Sequence, residues 1–316
     1  MIDADDSYYN DLDMHRTMLR DRVRCEAFRH ALTKSVKSGD VVLDVGAGTG
    51  ILSLFAARAG ARKVYAVECT KIVDFARQLI ATNSVEEQVQ IIHGDIESVE
   101  LPEQVDLIVS EWMGGNGVDE GFLPAVLVAR DRWLKPQGKM LPERVSAWIA
   151  PVWDGELEND LDFWRSQPYE IDCSLIAETT IGEVKYCQHH ITEDTLLAEP
   201  QQMWTTDVYT CSVEESRSPF KASLLFPVTR ESRFSALATW FHADFGQGII
   251  LTNAPDAPKT HWGRFVYPPL NRAIKLEKGI DILVEFFCGP TTAGHCQSKW
   301  SVKVGDGAWE HHQSIN

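Results

Sequence analysis

The sequence predicts an α/β domain built on a mainly parallel sheet, followed by an antiparallel β domain, barrel or sandwich. Three observations carry this. Short β-branched runs alternate with helical stretches as far as Pro142, and a glycine-rich turn follows the first of those runs. After Pro142 the strand-like segments follow one another with Gly, Pro, Asn or Asp clusters between several of them. The chain has 316 residues, more than one core usually serves, so two domains are expected.

Taken in order, residues 1–6 are polar and expected to lack fixed structure. From Asp11 to Leu32 the sequence suits a helix: Met14, Met18 and Leu19, then Val23, Ala27 and Phe28, with no Gly or Pro. Lys37-Ser38-Gly39-Asp40 is a turn. Val41 to Val45 is a strand that runs into Gly46-Ala47-Gly48-Thr49-Gly50 and a helix from Ile51 to Ala59, stopped by Gly60. Lys63 to Glu68 is a second strand, residues 70–82 a helix, Val89 to Ile92 a third strand and Val105 to Val109 a fourth. Glycines at 114, 115 and 117 then break regular structure. A helix resumes from Gly121, with Leu123, Val126, Leu127 and Trp133 near helical spacing and Gly138 past its end. Beyond Pro142, Val145 to Val152 alternates, and strand candidates lie at 220–226, 234–243, 247–252, 263–267, 280–288 and 298–304. Between Trp153 and Tyr186, Leu157, Leu161 and Trp164 share a helical face among Glu156, Glu158, Asp160 and Asp162. That stripe is either an arm packing on another subunit or a cover for the β domain.

Composition narrows the function classes. A net charge of −16 argues against nucleic acid as the main partner and suits basic substrates. The seven cysteines are scattered without a C-x-x-C, so neither a disulfide framework nor a zinc site is suggested. The doublets His189-His190 and His311-His312 have no obvious carboxylate or Cys partners, and no metal is expected. An acidic N-terminus without a signal peptide, and no apolar run of membrane length, predict a cytoplasmic protein with no membrane partner.

Two stretches carry chemistry. Gly46-x-Gly48-x-Gly50 between a strand and a helix is a nucleotide-site signal, since glycine lets a ligand approach the backbone closely. It is neither G-x-G-x-x-G nor a P-loop. Glu68 ends the second strand, placed for ribose hydroxyls, and Asp95 and Glu97 follow the third, where an adenine could lie. The second stretch runs from Ser110 to Glu120. Glu111 and Glu120 flank a loop at the carboxyl end of a strand, where open α/β sheets bind ligands. A carboxylate pair there can grip a planar guanidinium in bidentate fashion.

Leu43-Asp44-Val45-Gly46-Ala47-Gly48-Thr49-Gly50 with the acidic strand ends resembles the S-adenosylmethionine-dependent methyltransferases. Ser110-Glu111-Trp112-Met113-Gly114 through Glu120 resembles the double-glutamate loop of the protein arginine N-methyltransferases. Thr260-His261-Trp262 is similar to that family's second active-site motif, and His15-x-x-Met18-Leu19-x-Asp21-x-x-Arg24 to its cofactor-covering helix. The likeness covers roughly residues 8–270 and points to the type I branch, whose products are monomethyl and asymmetric dimethyl arginine.

The resemblance implies a Rossmann-like methyltransferase domain over residues 35–142, covering helices over 1–34, and a β-barrel domain over 143–316 with a helical dimerisation arm at about 154–186. It implies S-adenosylmethionine as cofactor, S-adenosylhomocysteine as product, an arginine-containing protein or peptide as substrate, and a homodimer. Glu111 and Glu120 would hold the guanidinium, with Met18 and Met113 beside it. Arg24 and His15 would lie near the methionine part of the cofactor, and Asp44, Gly46 and Gly48 in the glycine turn. Glu68 would take the ribose, Glu97 the adenine, and His261 would pair with Asp21. Trp262 belongs to the substrate side, whereas Trp112 reads as core packing. The proton lost after transfer would go to Glu120 or to the His261–Asp21 pair.

The chain departs from the family in two places. Gly115 stands where a tyrosine is usual, and Gly115-Asn116-Gly117 predicts a smaller, looser loop. The N-terminal aromatic motif is reduced to Tyr8-Tyr9, with Leu12 facing the usual third tyrosine. The altered loop keeps open a methyltransferase of small guanidines or amines, and a catalytically silent scaffold is the third reading.

Overall fold

The parallel sheet expected from the first half is present in a computed structural model describing residues 10–179, 183–269, 273–290 and 296–315. Residues 1–6 and Tyr8-Tyr9 lie outside the described residues. The first half runs α1 (Leu12–Arg20), α2 (Arg22–Ser35), β1 (Val41–Val45), α3 (Ile51–Arg58), β2 (Lys63–Glu68), α4 (Val73–Thr82), β3 (Val89–His93), β4 (Val105–Val109), α5 (Leu123–Trp133) and β5 (Leu134–Leu141). Its strands pair in the order β3-β2-β1-β4-β5, every pair parallel. All five residues of β1 are buried, as in a sheet covered on both faces. Strand order reverses beside β1, so the crevice between the carboxyl ends of β1 and β4 is the ligand position of this architecture.

One expectation about the first half changes, and one strand is added. The helix from Asp11 to Leu32 is two helices. Asp21 leaves helical geometry (φ −70°, ψ 91°), and its carboxylate caps α2 by accepting the Arg24 N–H at 2.9 Å. The helix α5 ends at Trp133, the last residue of its predicted pattern, and the chain continues directly into β5, a strand not foreseen. Pro136 and Gly138 weaken the strand signal there, but β5 is an edge strand, where such residues are tolerated.

The second half comprises β6 (Arg144–Val152), α6 (Gly155–Arg165), α7 (Ser174–Thr179), β7 (Lys185–Gln188), β8 (Gln201–Asp207), α8 (Val213–Ser216), β9 (Phe220–Pro227) and β10 (Ser232–Phe234). It continues with β11 (Ala236–Asp244), β12 (Ile250–Thr252), β13 (Arg264–Tyr267), β14 (Ile274–Leu276), β15 (Asp281–Pro290), β16 (Cys296–Val304) and β17 (Trp309–Ile315). One antiparallel sheet runs β7-β13-β11-β6-β8 with β12 on β11, a second runs β17-β16-β15-β9, and β10 pairs with β14 in a small third. β8 and β9 lie side by side and join the first two into a barrel-like wall. Phe286 and Trp300 pack edge-on against Tyr267 at 5.0 and 5.1 Å between ring centroids, closing the core between the sheets.

The stripe on α6 resolves into two parts. Leu157 and Leu161 are buried against Ala150, Ala236, Trp240 and Val266 of their own β domain. They anchor the helix and offer nothing to another subunit. Asp154 caps α6 by accepting the Leu157 N–H at 3.0 Å. His190 lies between Asp154 (2.9 Å) and Glu156 (3.1 Å), so this histidine of the doublet does have carboxylate partners. What the segment leaves in solvent is Phe163, Tyr169, Ile171, Leu175 and Ile176.

Candidate active site

The glycine turn leaves β1 with Gly46, Gly48 and Gly50 all at positive φ (71°, 55° and 82°), a backbone path that side chains resist. Glu68, at the end of β2, accepts the Gly48 N–H and the Thr70 N–H, each at 2.7 Å. Its carboxylate is thereby fixed beside the turn. Asp44 is wholly buried in β1; Ser53 donates to one of its oxygens at 2.6 Å, and the other has no partner among the described residues. Burial raises this carboxyl to about 7. Two side chains close the turn: a Cβ on Gly48 would meet the ring of His15 on α1 at 3.0 Å, and one on Gly46 would meet Phe122, at the start of α5, at 2.9 Å. Met18 is buried on α1 as well.

Arg24, buried on α2, reaches Glu111 at the end of β4 with Nε and Nη2, at 3.2 and 3.0 Å to Oε2. Burial pushes the guanidinium down, but the Glu111 charge outweighs it and holds Arg24 above its ordinary range. The other oxygen of Glu111 accepts the Met113 N–H at 3.0 Å, so both its oxygens are aimed. Asp21 binds His261 through both ring Nδ1 and backbone N–H at 2.8 Å each, tying the β domain to the break between α1 and α2. Burial raises the Asp21 carboxyl, and the His261 and Arg24 hydrogen bonds overcome that to hold it below the usual carboxylate range. An ionised Asp21 only accepts, so His261 donates to it from Nδ1.

The loop from Trp112 to Asp119 is buried along its whole length, so the looser loop expected from Gly-Asn-Gly is not found. The reason is tertiary. The Trp262 indole donates to the Met113 carbonyl at 3.0 Å, and the Asn253 amide donates to the Gly115 carbonyl at 3.3 Å. Asn116 donates to the Tyr267 hydroxyl at 3.2 Å, and its backbone N–H binds the Asp119 carboxylate at 3.0 Å. Met113 and Trp262 are themselves buried and brace the loop, and Trp112 is a core ring. Glu120 stands exposed at the loop's far end. Asp95 accepts the Glu97 N–H at 2.9 Å beyond β3, and the Glu97 carboxylate points to Arg217 at 3.3 Å.

Sequence reading passed over Phe122, Asp119, Asn253, Phe265 and Tyr267. None belongs to a local pattern, since each acquires its place through residues distant in the chain. Only the glycine doublet at 114 and 115 was an available sign that something else fills that space. Among the described residues no group of three His, Cys, Asp or Glu is arranged to hold a metal, and no helix is long and apolar enough to cross a membrane.

The donors and acceptors suit S-adenosylmethionine. The unpartnered Asp44 oxygen can accept from an ammonium, Arg24 can meet a carboxylate, and Glu68 retains lone pairs for ribose hydroxyls. Comparison with known proteins agrees. A family model described as the arginine methyltransferase oligomerization subdomain matches residues 143–302, and one described as the TRM5/TYW2 methyltransferase domain matches residues 3–132. Protein arginine N-methyltransferase 6 of Danio rerio is 37% identical over 285 residues, covering 87% of this chain and 79% of that one. Protein arginine N-methyltransferase PRMT10 of Oryza sativa subsp. japonica is 35% identical over 312 residues, covering 88% and 81%. Among solved structures, Arabidopsis thaliana protein arginine methyltransferase 10 superposes with a TM-score of 0.82 at 30% identity over 97% of this chain and 98% of that one. The Trypanosoma brucei PRMT1 enzyme–prozyme complex with AdoHcy gives a TM-score of 0.86 at 28% identity over 98% and 99%. Fold and site define an S-adenosylmethionine-dependent methyltransferase. The chain belongs to the protein arginine N-methyltransferase family.

Proposed function

We propose that this enzyme methylates the guanidino nitrogens of arginine in basic protein or peptide substrates, giving monomethyl and asymmetric dimethyl arginine. The observation that carries the reading is Glu111. It lies where strand order reverses, with one oxygen on Arg24 of the covering helix and the other on the backbone of the double-glutamate loop. We assign the work to covering helices over 1–34, a cofactor domain over 35–142 and a substrate domain over 143–316.

S-adenosylmethionine, when bound, supplies a methyl group already activated on sulfur. The chain's residues bind and aim. Arg24 and Asp44 hold the two ends of an amino acid moiety, Glu68 takes the ribose, Glu97 meets the adenine, and His15 and Met18 close the pocket from above. Guanidinium is a poor nucleophile, because its lone pair is delocalised and its pKa exceeds 12. Glu111 and Glu120 draw positive charge onto the nitrogens they grip and leave the third richer in electrons. Alignment at a near-attack distance supplies the rest. The proton released goes to His261 Nε2, since Asp21 holds Nδ1–H.

For assembly we propose a homodimer. Tyr169 is 93% exposed and Leu175 70%, an apolar tip beyond the anchored α6. Phe75 on α4, with Leu12 and Leu19 on α1, is exposed on the cofactor domain and suits the partner's tip.

The test is labelled S-adenosylmethionine with an Arg-rich peptide, free arginine and nucleic acid in parallel, and chromatography of the methylated residues. Label should enter the peptide alone, as monomethyl and asymmetric dimethyl arginine. Glu111→Gln and Glu120→Gln should lose turnover, and Glu120→Gln should keep cofactor affinity. Label on free arginine alone, or parental rates in either variant, would overturn the assignment.

A further inference from the structure

Gly114 and Gly115 differ from the other glycines of the site. Gly117 sits at φ +92° and Gly121 at +69°, so their backbone requires glycine, but neither Gly114 nor Gly115 has a positive φ. Any residue could adopt their backbone. What excludes a side chain is occupied space. A Cβ on Gly114 would lie 2.5 Å from Cγ and both oxygens of Asp119, and a Cβ on Gly115 would lie 2.1–2.4 Å from three carbons of the Phe265 ring. That ring is held edge-on by Tyr186, 4.7 Å away at 89°. The Asp119 carboxylate is held by the Asn116 N–H.

We propose that Phe265, from β13, and Asp119, from the far end of the double-glutamate loop itself, are positioning residues, supplying the side chains that Gly114 and Gly115 lack and fixing the turn that presents Glu111 and Glu120. The proposal rests on the methyl-transfer reading for its catalytic consequence, not for its packing. Phe265 belongs to β13, whose lead-in also supplies His261 to Asp21 and Trp262 to Met113, and whose end supplies Tyr267 to Asn116. One stretch of the β domain thus grips the loop at three points. A side chain placed at 115 must move either the loop or the ring. A shift of about 1 Å in a positioned carboxylate costs roughly 100-fold in rate. Among the described residues, Tyr186, Tyr267 and Cys288 feel the Asp119 charge, none of them a cation, and backbone N–H groups hold its carboxylate.

The experiment is a size-exchange cycle in the full chain: Gly115→Ala, Phe265→Ala and the double variant, with Gly115→Tyr/Phe265→Gly as the larger exchange. Melting temperature is read without substrate, cofactor affinity by calorimetry, and kcat and KM with an Arg-rich peptide. Gly115→Ala should lower Tm and cut kcat about 100-fold while cofactor affinity stays at the parental level. Phe265→Ala should raise KM more than it lowers kcat. The double variant should recover both Tm and kcat relative to Gly115→Ala. Independent, additive effects in the cycle, or a Gly115→Ala protein with parental Tm and kcat, would overturn the proposal. Peptide methylation by the parent protein tests the underlying reading separately. A parent with no transferase activity but a coupled Tm cycle would refute the catalytic consequence and leave the packing.

Discussion

At the scale of single residues, the site is a set of buried charges with unequal support. Arg24 and Glu111 neutralise each other, and Asp21 has His261, but Asp119 faces no cation and burial lifts its carboxyl from 3.8 to about 6 despite hydrogen bonds from the Asn116 and Gly115 N–H groups. The native chain therefore binds this proton more tightly than the unfolded chain does. Its stabilising share is complete below the unfolded value and is lost as pH rises through the folded one, by up to about 3 kcal/mol. Asp44, raised to about 7, has the same sign and extends the loss toward neutral pH. Denaturant titrations should show parental stability declining between about pH 4 and 6, with a smaller decline in Asp119→Asn. Parallel profiles for the two proteins would place the ionisation elsewhere. The buried acid beside the active loop is retained at that cost, as expected where a strained or charged group serves a reaction.

At the scale of elements, β1 to β4, β6 and the strands between Phe220 and Val304, apart from the three-residue β10 and β14, are legible in the chain, because β-branched runs bounded by turn residues mark them. β5, β7, β8, β10, β14 and β17 are not. In β5 only Met140 and Leu141 are buried, and β7 has no fully buried residue, so neither carries a hydrophobic period to read. The break at Asp21 is hidden because α1 and α2 both suit helix; only the caps divide them. Of the site, the glycine turn, Glu68, Arg24 and the two motifs were readable as sequence. Phe265, Asn253 and Asp119 were not, because their roles are contacts made by folding. The segment after α6 yields an element-scale expectation. Leu161 is anchored within its own subunit, so the interface must be sought at Ile171 and Leu175. Ile171→Glu with Leu175→Glu should reduce the sedimenting mass from two chains to one with the circular dichroism spectrum unchanged. A variant still sedimenting as two chains would exclude the tip from the interface.

At the scale of the whole molecule, a net charge of −16 surrounds a site that ends in the exposed Glu120. Such a field steers basic peptides and weakens as the Debye length shrinks. KM for an Arg-rich peptide should rise between about 0.05 and 0.3 M salt, while kcat and the KM for cofactor stay level. A KM indifferent to salt would mean that contact, not field, brings the substrate in. The nesting of Phe265 against Gly115 has one more consequence, and it concerns descent. Two positions far apart in the chain, one in each half, are coupled, because a side chain entering at 115 must displace either the ring at 265 or the loop itself. Were a lineage to pass from tyrosine to glycine at 115, the ring at 265 could settle against the loop only once that side chain had gone, so the order of the two substitutions would matter. The reverse order would pass through an ancestor whose loop and strand compete for one volume. Reconstructed intermediates carrying each residue singly would show which of the two paths was open.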